Sequence, residues 1–278
     1  MKKKIGVLLL AVSTMSVCGC SSFIPCKREK AIEKMEAISD SLVYTDKVDS
    51  LYAKRSIELS TESKEGETEK NKKYTNEEVL KISIMLNYCY TKTSSRTEDL
   101  LTGESTVNET EKWEYIFGSK YYLVERTLKG DEESKTYTKT KSNSEAKTNL
   151  KKNLRKLIDK SFNGDQRENA INETLDVIDR DEKDEDLSVK YMSNGGGFLS
   201  VVANKETSET NEGITTSTEE AYSFIWERYS LKKKGLVGVI TTTNEETGDY
   251  SKITASDSFQ FKTFFIPKYP WLNKYTEK

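Results

Sequence analysis

Residues 79–91, VLKISIMLNYCYT, decide the fold that this chain is predicted to adopt. Apolar side chains occupy every second position of the stretch, at Leu80, Ile82, Ile84, Leu86, Tyr88 and Tyr90. Successive side chains of a β-strand point to opposite faces of a sheet, so this spacing places all six on one face. The predicted opposite face is mostly solvent-tolerant and carries Lys81, Ser83, Met85, Asn87 and Cys89. The pattern therefore predicts one long strand with a single buried face.

Similar alternation recurs on both sides of this stretch and predicts further strands. A three-strand meander is predicted over 110–142, where aromatic and β-branched residues alternate with polar ones. A wholly polar stretch, 64–73, and a second polar stretch, 94–108, are predicted to be loops. The remaining predicted strands cover 50–63, 187–191, 198–204, 222–226, 236–242 and 250–265.

Apolar residues recur at helical spacing in two other parts of the chain. The first, 27–42, predicts an amphipathic helix that packs on the sheet, and its mixed charges disfavour a membrane-surface helix. The second part begins with a helix over about 144–162. Another helix follows, preceded by Asp165 and Glu168 as an Asp-led variant of the capping box. The order helix, strands, two helices, strands predicts an α+β fold with a large antiparallel sheet.

The first 22 residues carry the most specific motif of the chain. Three lysines precede an apolar run over 5–17 that is too short to span a bilayer as a stable helix, which is typical of a secretory signal. The junction Gly19-Cys20-Ser21-Ser22 resembles a bacterial lipobox. This resemblance implies cleavage before Cys20 and a thioether-linked diacylglycerol on its sulfur. An ordinary secreted protein with a chance cysteine after its signal is the disfavoured alternative.

The lipobox resemblance also implies a domain organisation and a location. Residues 1–19 are expected to be a lipoprotein signal peptide, 20–28 a lipidated tether and 29–278 a single domain. Acyl chains such as palmitate on Cys20 are expected to hold the protein on the extracytoplasmic face of the cell membrane, because two or more chains anchor a protein stably. The membrane is therefore the partner that the sequence indicates.

Composition excludes several classes of function. Histidine is absent from all 278 residues, which excludes Ser-His-Asp and Cys-His nucleophile systems and imidazole metal sites. Removing the first 19 residues takes away three lysines and no acids, so the net charge falls from −2 to −5 and leaves no basic field for nucleic acid. No carboxylate lies in a context that predicts a raised pKa, so we expect no enzymatic activity and no cofactor.

Three local features each leave two interpretations open. The acidic run 179–186 is interpreted as a charged linker, because Lys183 takes the fifth position of the calcium-loop template and no glycine the sixth; no metal site is expected. The basic face of the helix over 144–162 is either solvated or in contact with anionic lipid headgroups. Cys26 and Cys89 can pair outside the cytoplasm, but two unpaired thiols are favoured because one lies in the tether and the other in mid-strand.

Taken together, this layout resembles the LolA-like superfamily, including the LppX/LprG type of bacterial lipoproteins. The resemblance rests on the lipidated N-terminus, the initial helix, the long one-sided strands and the helical pair between two blocks of strands. It implies a curved antiparallel half-barrel with the N-terminal helix and the helical pair packed on one face. It also implies either a bound acyl chain or lipidated cargo between sheet and helices, or an envelope role without a ligand, and no catalytic residues.

The leading prediction is a membrane-anchored, extracytoplasmic lipoprotein whose non-catalytic domain binds a lipid or another apolar ligand. The alternative is an envelope interaction or structural module with a filled core and no small-molecule ligand. The presence of an apolar cavity would distinguish the first from the second. The residues expected to line such a cavity, or to fill the core, are Leu80, Ile82, Ile84, Leu86, Tyr88, Trp113, Tyr115, Phe117, Tyr222, Phe224 and Trp226.

Overall fold

The computed structural model describes residues 24–194 and 197–278. The predicted signal peptide, Cys20 and residues 195–196 lie outside the described residues. The helices are α1 (Arg28–Ser39), α2 (Ser144–Asn163) and α3 (Asp165–Arg180). The strands are β1 (Ile24–Pro25), β2 (Ser50–Glu65), β3 (Thr68–Ser83), β4 (Tyr88–Asp99), β5 (Ser105–Phe117), β6 (Lys120–Lys129), β7 (Glu132–Lys141), β8 (Leu187–Ser193), β9 (Phe198–Asn211), β10 (Ile214–Glu227), β11 (Ser230–Asn244), β12 (Tyr250–Lys262) and β13 (Thr276–Glu277).

The described strands form one open sheet in the order β1-β8-β9-β10-β11-β12-β2-β3-β4-β5-β6-β7-β13. Neighbouring strands run antiparallel, except that β13 is parallel to β7. The two-residue strands β1 and β13 form the edges, and such short edge strands limit edge-to-edge association. The predicted class, α+β with a large curved antiparallel sheet, an N-terminal helix and a helical pair on one face, is confirmed.

An apolar stripe explains why the helical pair lies on the sheet. α2 buries Leu150, Leu154, Ile158 and Phe162, which recur every four residues and so line one side of the helix. These side chains join residues of α1, α3 and the facing strands in one continuous cluster, the helix-side core. The opposite side of α2 is charged and exposed, so burial of the stripe fixes how the helix is rotated against the sheet.

The predicted capping box at the start of α3 is wrong. Asp165 is the first residue of α3, and Gly164 takes the N-cap position without a side-chain hydrogen bond. Gly164 is also the C-cap of α2, so a single residue joins the two helices. A Cβ atom at this position would lie 2.4 Å from the carbonyl oxygen of Lys160, which explains why glycine occupies so tight a junction.

The predicted single strand over 79–91 is also wrong, because the chain reverses in its middle. β3 ends at Ser83, residues 84–87 form a turn, and β4 begins at Tyr88. Asn87 has a φ of 48°, a left-handed conformation that asparagine adopts more readily than most other side chains. Its N–H donates to the carbonyl oxygen of Ile84 at 3.1 Å, which closes the turn.

The turn reverses the relation between residue number and sheet face. Ser83 pairs with Tyr88, so even-numbered positions of β3 share a face with odd-numbered positions of β4. Ile82 and its partner Cys89 lie in the helix-side core, whereas Tyr88 and Tyr90 face the other way. The predicted solvent-tolerant face is wrong at two positions: this reversal turns Cys89 into the helix-side core, and Ser83, on the opposite face, is buried as well.

The two stretches predicted to be polar loops are mostly strand. β2 and β3 run on to a turn at Gly66, whose φ is 59°, and β4 and β5 run on to a turn over 100–104. Thr, Ser, Lys and Glu dominate both faces here, so no apolar alternation marks these strands in the sequence. Backbone pairing and cross-strand ion pairs, such as Lys73 to Glu58 at 2.8 Å, connect them instead.

Successive turns lie at opposite ends of the strands, and we call one end of the sheet the base and the half at the other end the outer half. The base holds the turns β3–β4, β5–β6, β8–β9 and β10–β11, together with the loop between α1 and β2. The outer end holds the turns β2–β3, β4–β5, β6–β7, β9–β10 and β11–β12. The packed cores lie towards the base, and the outer half is a mostly polar single layer.

The face opposite the helices carries a second core, the aromatic cluster. Its buried members are Val79, Tyr88, Tyr90, Trp113, Tyr115 and Val124. The C-terminal segment, residues 263–278, leaves β12 at the base and packs Phe265, Leu272 and Tyr275 on this cluster. β13 then pairs with β7, so the segment crosses the face that the helices leave open.

Candidate functional site

The residues predicted to line one ligand site do not surround a common space. Members of the helix-side core, or packed against it, are Leu80, Ile82, Ile84, Tyr222, Phe224 and Trp226. Tyr88, Trp113 and Tyr115 belong to the aromatic cluster on the other face. Leu86 and Phe117 are exposed at turns of the base. The sheet itself therefore separates the predicted lining into two groups.

Large side chains fill the space between the sheet and the helices. Phe224 and Trp226 of β10 have no exposed surface, and neither has Ile158 of α2. The indole N–H of Trp226 donates to the hydroxyl oxygen of Thr174 in α3 at 3.3 Å, so the polar atom of this buried ring has a partner. The arrangement is that of a packed core whose one indole donor is satisfied internally.

Hydrogen bonding and ring contacts fasten the C-terminal segment to the aromatic cluster. Tyr88 is 1% exposed, and its hydroxyl donates to the carbonyl oxygen of Lys268 at 2.9 Å. Tyr269 lies edge-on to Tyr88 and Tyr115, with ring centroids 5.3 and 5.0 Å apart. Burial raises the pKa of Tyr88 well above its ordinary value, so the phenol stays neutral and serves as a structural donor.

An open cleft of about 320 Å³ lies between α2 and the ends of β5, β6 and β7. Its floor contains Glu114 and Tyr121, whose hydroxyl donates to Glu114 Oε1 at 2.9 Å. Burial, reinforced by Glu114, raises the pKa of Tyr121. The rest of the lining is Thr140, Ala146, Asn149, Leu150 and Asn153. Polar residue types outnumber apolar ones in this lining, but the cleft is open to solvent and so is not the enclosed apolar space that an acyl chain needs.

A charged junction, which the sequence patterns did not indicate, marks the outer limit of the helix-side core. The Lys234 ammonium, on a side chain only 5% exposed, lies 2.8 Å from a Glu173 oxygen and 3.2 Å from Asp257 Oδ2. Arg55 binds Asp257 through two N–H groups, at 3.1 and 3.2 Å. Burial opposes ionisation of Asp257, but Arg55 and Lys234 together hold the pKa of its carboxyl below the usual value. The four residues come from three strands and a helix, so nothing in local sequence brings them together.

Replacing Asp257 by Asn is expected to lower the free energy of unfolding by about 1–3 kcal/mol at pH 7, because Arg55 and the buried Lys234 both lose a charged partner. A depressed folded-state pKa contributes stability above the unfolded-state value near pH 4, and this is lost as the pH falls through the folded-state pKa. The gap between wild type and Asp257→Asn should therefore narrow below about pH 4 in urea unfolding. Asp131→Asn, in an exposed turn, is the matched control. A stability difference between wild type and Asp257→Asn that is the same at pH 7 and below about pH 4 would refute the assigned pairing.

The favoured interpretation of the cysteines, two unpaired thiols, is confirmed. Cys89 is buried in the helix-side core, and Cys26 packs against the same core. Burial, with a smaller contribution from Glu114, raises the pKa of the Cys89 thiol to about 12. The neutral thiol of Cys89 behaves as a small apolar group in this setting.

The part of the chain that the structure describes has neither a metal-binding cluster nor a membrane-spanning helix. Between residues 24–194 and 197–278, no group of three or more Cys, Asp or Glu is arranged to hold a metal ion. In the same ranges, no helix has the length and apolarity needed to cross a bilayer. Within the acidic run 179–186, Asp184 binds Lys205 at 2.7 Å and Arg180 at 3.5 Å.

Comparisons with known proteins leave the chain without a family. No protein-family model matches it, and no curated protein does. Among solved structures, it is similar to the translocator domain of the autotransporter NalP from Neisseria meningitidis, with 7% identity over 84% of this chain and 95% of that chain, at a TM-score of 0.16. The transport unit of the autotransporter AIDA-I from Escherichia coli gives 9% identity over 84% and 97%, at 0.12. A DUF1329 family protein from Desulfovibrio piger gives 9% over 86% and 94%, also at 0.12. Scores this low carry no argument about family or function.

Proposed function

We propose that this protein is a lipid-anchored interaction or structural module of the bacterial cell envelope, held on the extracytoplasmic face of the membrane through Cys20. Its domain has a filled core, and it acts through its surface without catalysis and without a small-molecule ligand. The LolA-like resemblance belongs to this proposal as a matter of architecture, and the anchor rests on the Gly19-Cys20-Ser21-Ser22 junction.

The observation that carries the proposal is that packed side chains cover both faces of the sheet near the base. Phe224 and Trp226 meet the helices on one side without exposed surface, and Tyr88 meets the C-terminal segment on the other. A carrier of acyl chains needs an apolar space between these layers. The cleft beside α2 is open to solvent and does not lie between these packed layers. An apolar ligand is therefore less well supported than a packed core.

The outer half is the surface best placed to meet a partner. Its strands expose Thr, Ser, Lys and Glu on both faces, and its hairpins end in exposed turns such as those at Gly66 and Gly130. A polar, single-layered sheet presents a wide area with many hydrogen-bond donors and acceptors. This chemistry suits another hydrated component of the cell surface.

Enlarging Ala203 tests whether the core is filled. Ala203 is completely buried beneath the helices, so Ala203→Leu should lower the free energy of unfolding by about 1–3 kcal/mol if no space exists there. Val202→Leu, on the opposite face of β9 and only partly buried, is the matched control with a smaller expected effect. Urea unfolding of both variants gives the comparison. If Ala203→Leu is as stable as the wild type and lowers the amount of co-purifying lipid, the carrier function replaces the proposal.

A further inference from the structure

The base of the sheet carries the most exposed apolar side chains of the described residues. The eight most exposed large apolar residues range from Ile24 at 62% to Trp271 at 77%; seven lie at this end, and Trp271 follows Tyr269, whose ring contacts Phe117 there. In the outer half the highest value is 51%, at Leu101. Exposed apolar surface gathered at one end of a molecule indicates an interaction surface, since single scattered residues need no such explanation.

These side chains stand on ordered loops. Asn163, the last residue of α2, accepts a hydrogen bond from the Val43 N–H at 2.8 Å and donates one to the Val43 carbonyl oxygen at 3.0 Å. This clamp fixes the loop on which Leu42 and Tyr44 are exposed. In the β3–β4 turn, Met85 is 76% exposed between the ends of two paired strands.

The C-terminal segment contributes a second part of the same end. Phe265 packs on the aromatic cluster, while its neighbours Phe264 and Ile266 are each 75% exposed. Tyr269 packs against Phe117 with ring centroids 6.4 Å apart, close to the β5–β6 turn. Trp271 follows and is 77% exposed. The segment therefore buries some of its apolar residues on the sheet and presents others to solvent beside the base.

The chain enters the described domain at the base. Ile24 pairs with Ser193, the last residue of β8, next to the β8–β9 turn. Ile24 lies four positions after Cys20 in the sequence, and four residues span at most about 14 Å when fully extended. An acyl group on Cys20 would therefore hold the base, and no other part of the domain, against the bilayer.

Exposed lysines on α2 add positive charge next to the base. The helix lies against the loop that leads into β2, because Arg155 donates to the Val48 carbonyl oxygen at 2.6 Å and binds Asp49 at 3.1 Å. Its exposed lysines have no ion-pair partner within the described residues; they are Lys147, Lys151, Lys152, Lys156 and Lys160. Basic side chains next to a membrane anchor favour contact with anionic headgroups.

We propose that the base is a membrane-docking surface, which lies in the headgroup region of an anionic bilayer while the outer half points away from it. Trp and Tyr side chains favour this interfacial layer, and apolar residues beside them gain by leaving water. The inference rests on the proposed lipid anchor in one respect: the tether keeps the base near the bilayer, so that individually weak contacts of the base with lipid become effective.

Tryptophan fluorescence can test this orientation with an anchor supplied chemically. The mature chain, residues 20–278 with Cys26→Ser, is coupled through Cys20 to a maleimide phospholipid in vesicles of phosphatidylcholine and phosphatidylglycerol. Of the three tryptophans, Trp113 and Trp226 are buried, so quenching by brominated lipid reports on Trp271. The Trp271→Phe variant gives the background, and Leu101→Trp in that variant places the reporter at the outer end.

The docking proposal predicts that brominated lipid removes most of the Trp271 emission and leaves the emission of the Leu101→Trp reporter unchanged. Quenching of Trp271 should also decrease when phosphatidylglycerol is omitted. Equal quenching at both ends, or none at Trp271, would overturn the proposal. The chemical anchor makes this result independent of whether cells lipidate Cys20, so failure here and failure of the proposed function are distinguishable.

Discussion

Replacing Ile82 by Asp is expected to unfold the domain at neutral pH. Ile82 is completely buried in the helix-side core, where a carboxylate would have neither water nor a charged partner. Such burial costs about 4 kcal/mol or more, against a total stability of about 5–15 kcal/mol for a typical domain. Circular dichroism during urea unfolding of the soluble chain, with Cys20 removed, should show no cooperative transition or a much lower midpoint.

Met85→Asp is the matched control for this substitution. Met85 lies three residues further on, in the turn at the base, and is 76% exposed. A carboxylate there remains hydrated, so the unfolding midpoint should change little. Equal loss of stability in the two variants would contradict the turn over 84–87 and the assignment of Ile82 to the core.

Cys20→Ala is expected to abolish membrane anchoring. The lipobox cysteine supplies the sulfur that receives the diacylglycerol, and no other residue can replace it in the thioether. The variant should accumulate as a precursor that retains residues 1–19, which mass spectrometry of the intact chain can detect. Wild-type protein should lack these residues and carry acyl mass on Cys20.

Cys26→Ala is the matched control for the anchor, because it removes a thiol six residues further on. Cys26 packs against the helix-side core and is not placed at the lipobox junction. Its loss should leave processing and acylation unchanged. Normal maturation of Cys20→Ala, or a wild-type N-terminus without acyl mass, would show that the lipoprotein assignment is incorrect.

Period-two spacing predicted most of the strands near the base, because those strands bury at least one face there. The meander over 110–142, for example, follows its aromatic alternation closely. The strands of the outer half were not predicted because both of their faces meet water and so show no apolar alternation. The end of β2, for example, has the composition of a loop. The hairpin within 79–91 escaped because the apolar alternation runs through the turn without interruption, and Asn87 is the one local signal for a reversal.

Prediction of the site met a different limit. Sequence parity can place residues on the faces of one strand, but it cannot say which faces of different strands coincide. Tyr88 and Ile82 share a parity and yet lie in separate cores, because the register Ser83 to Tyr88 reverses the relation. The junction of Lys234, Asp257 and Arg55 depends on pairing across strands far apart in sequence, so only the three-dimensional arrangement reveals it.

Native mass spectrometry of the mature protein, purified from cell membranes in detergent, tests the central claim most directly. The account predicts the mass of residues 20–278 plus an acylated glyceryl group on Cys20, with no further molecule held in fixed stoichiometry. The Ala203→Leu variant should likewise carry the acylated glyceryl group and no noncovalently bound molecule. One tightly held apolar molecule per protein, lost in Ala203→Leu, would contradict a filled core and establish a carrier instead.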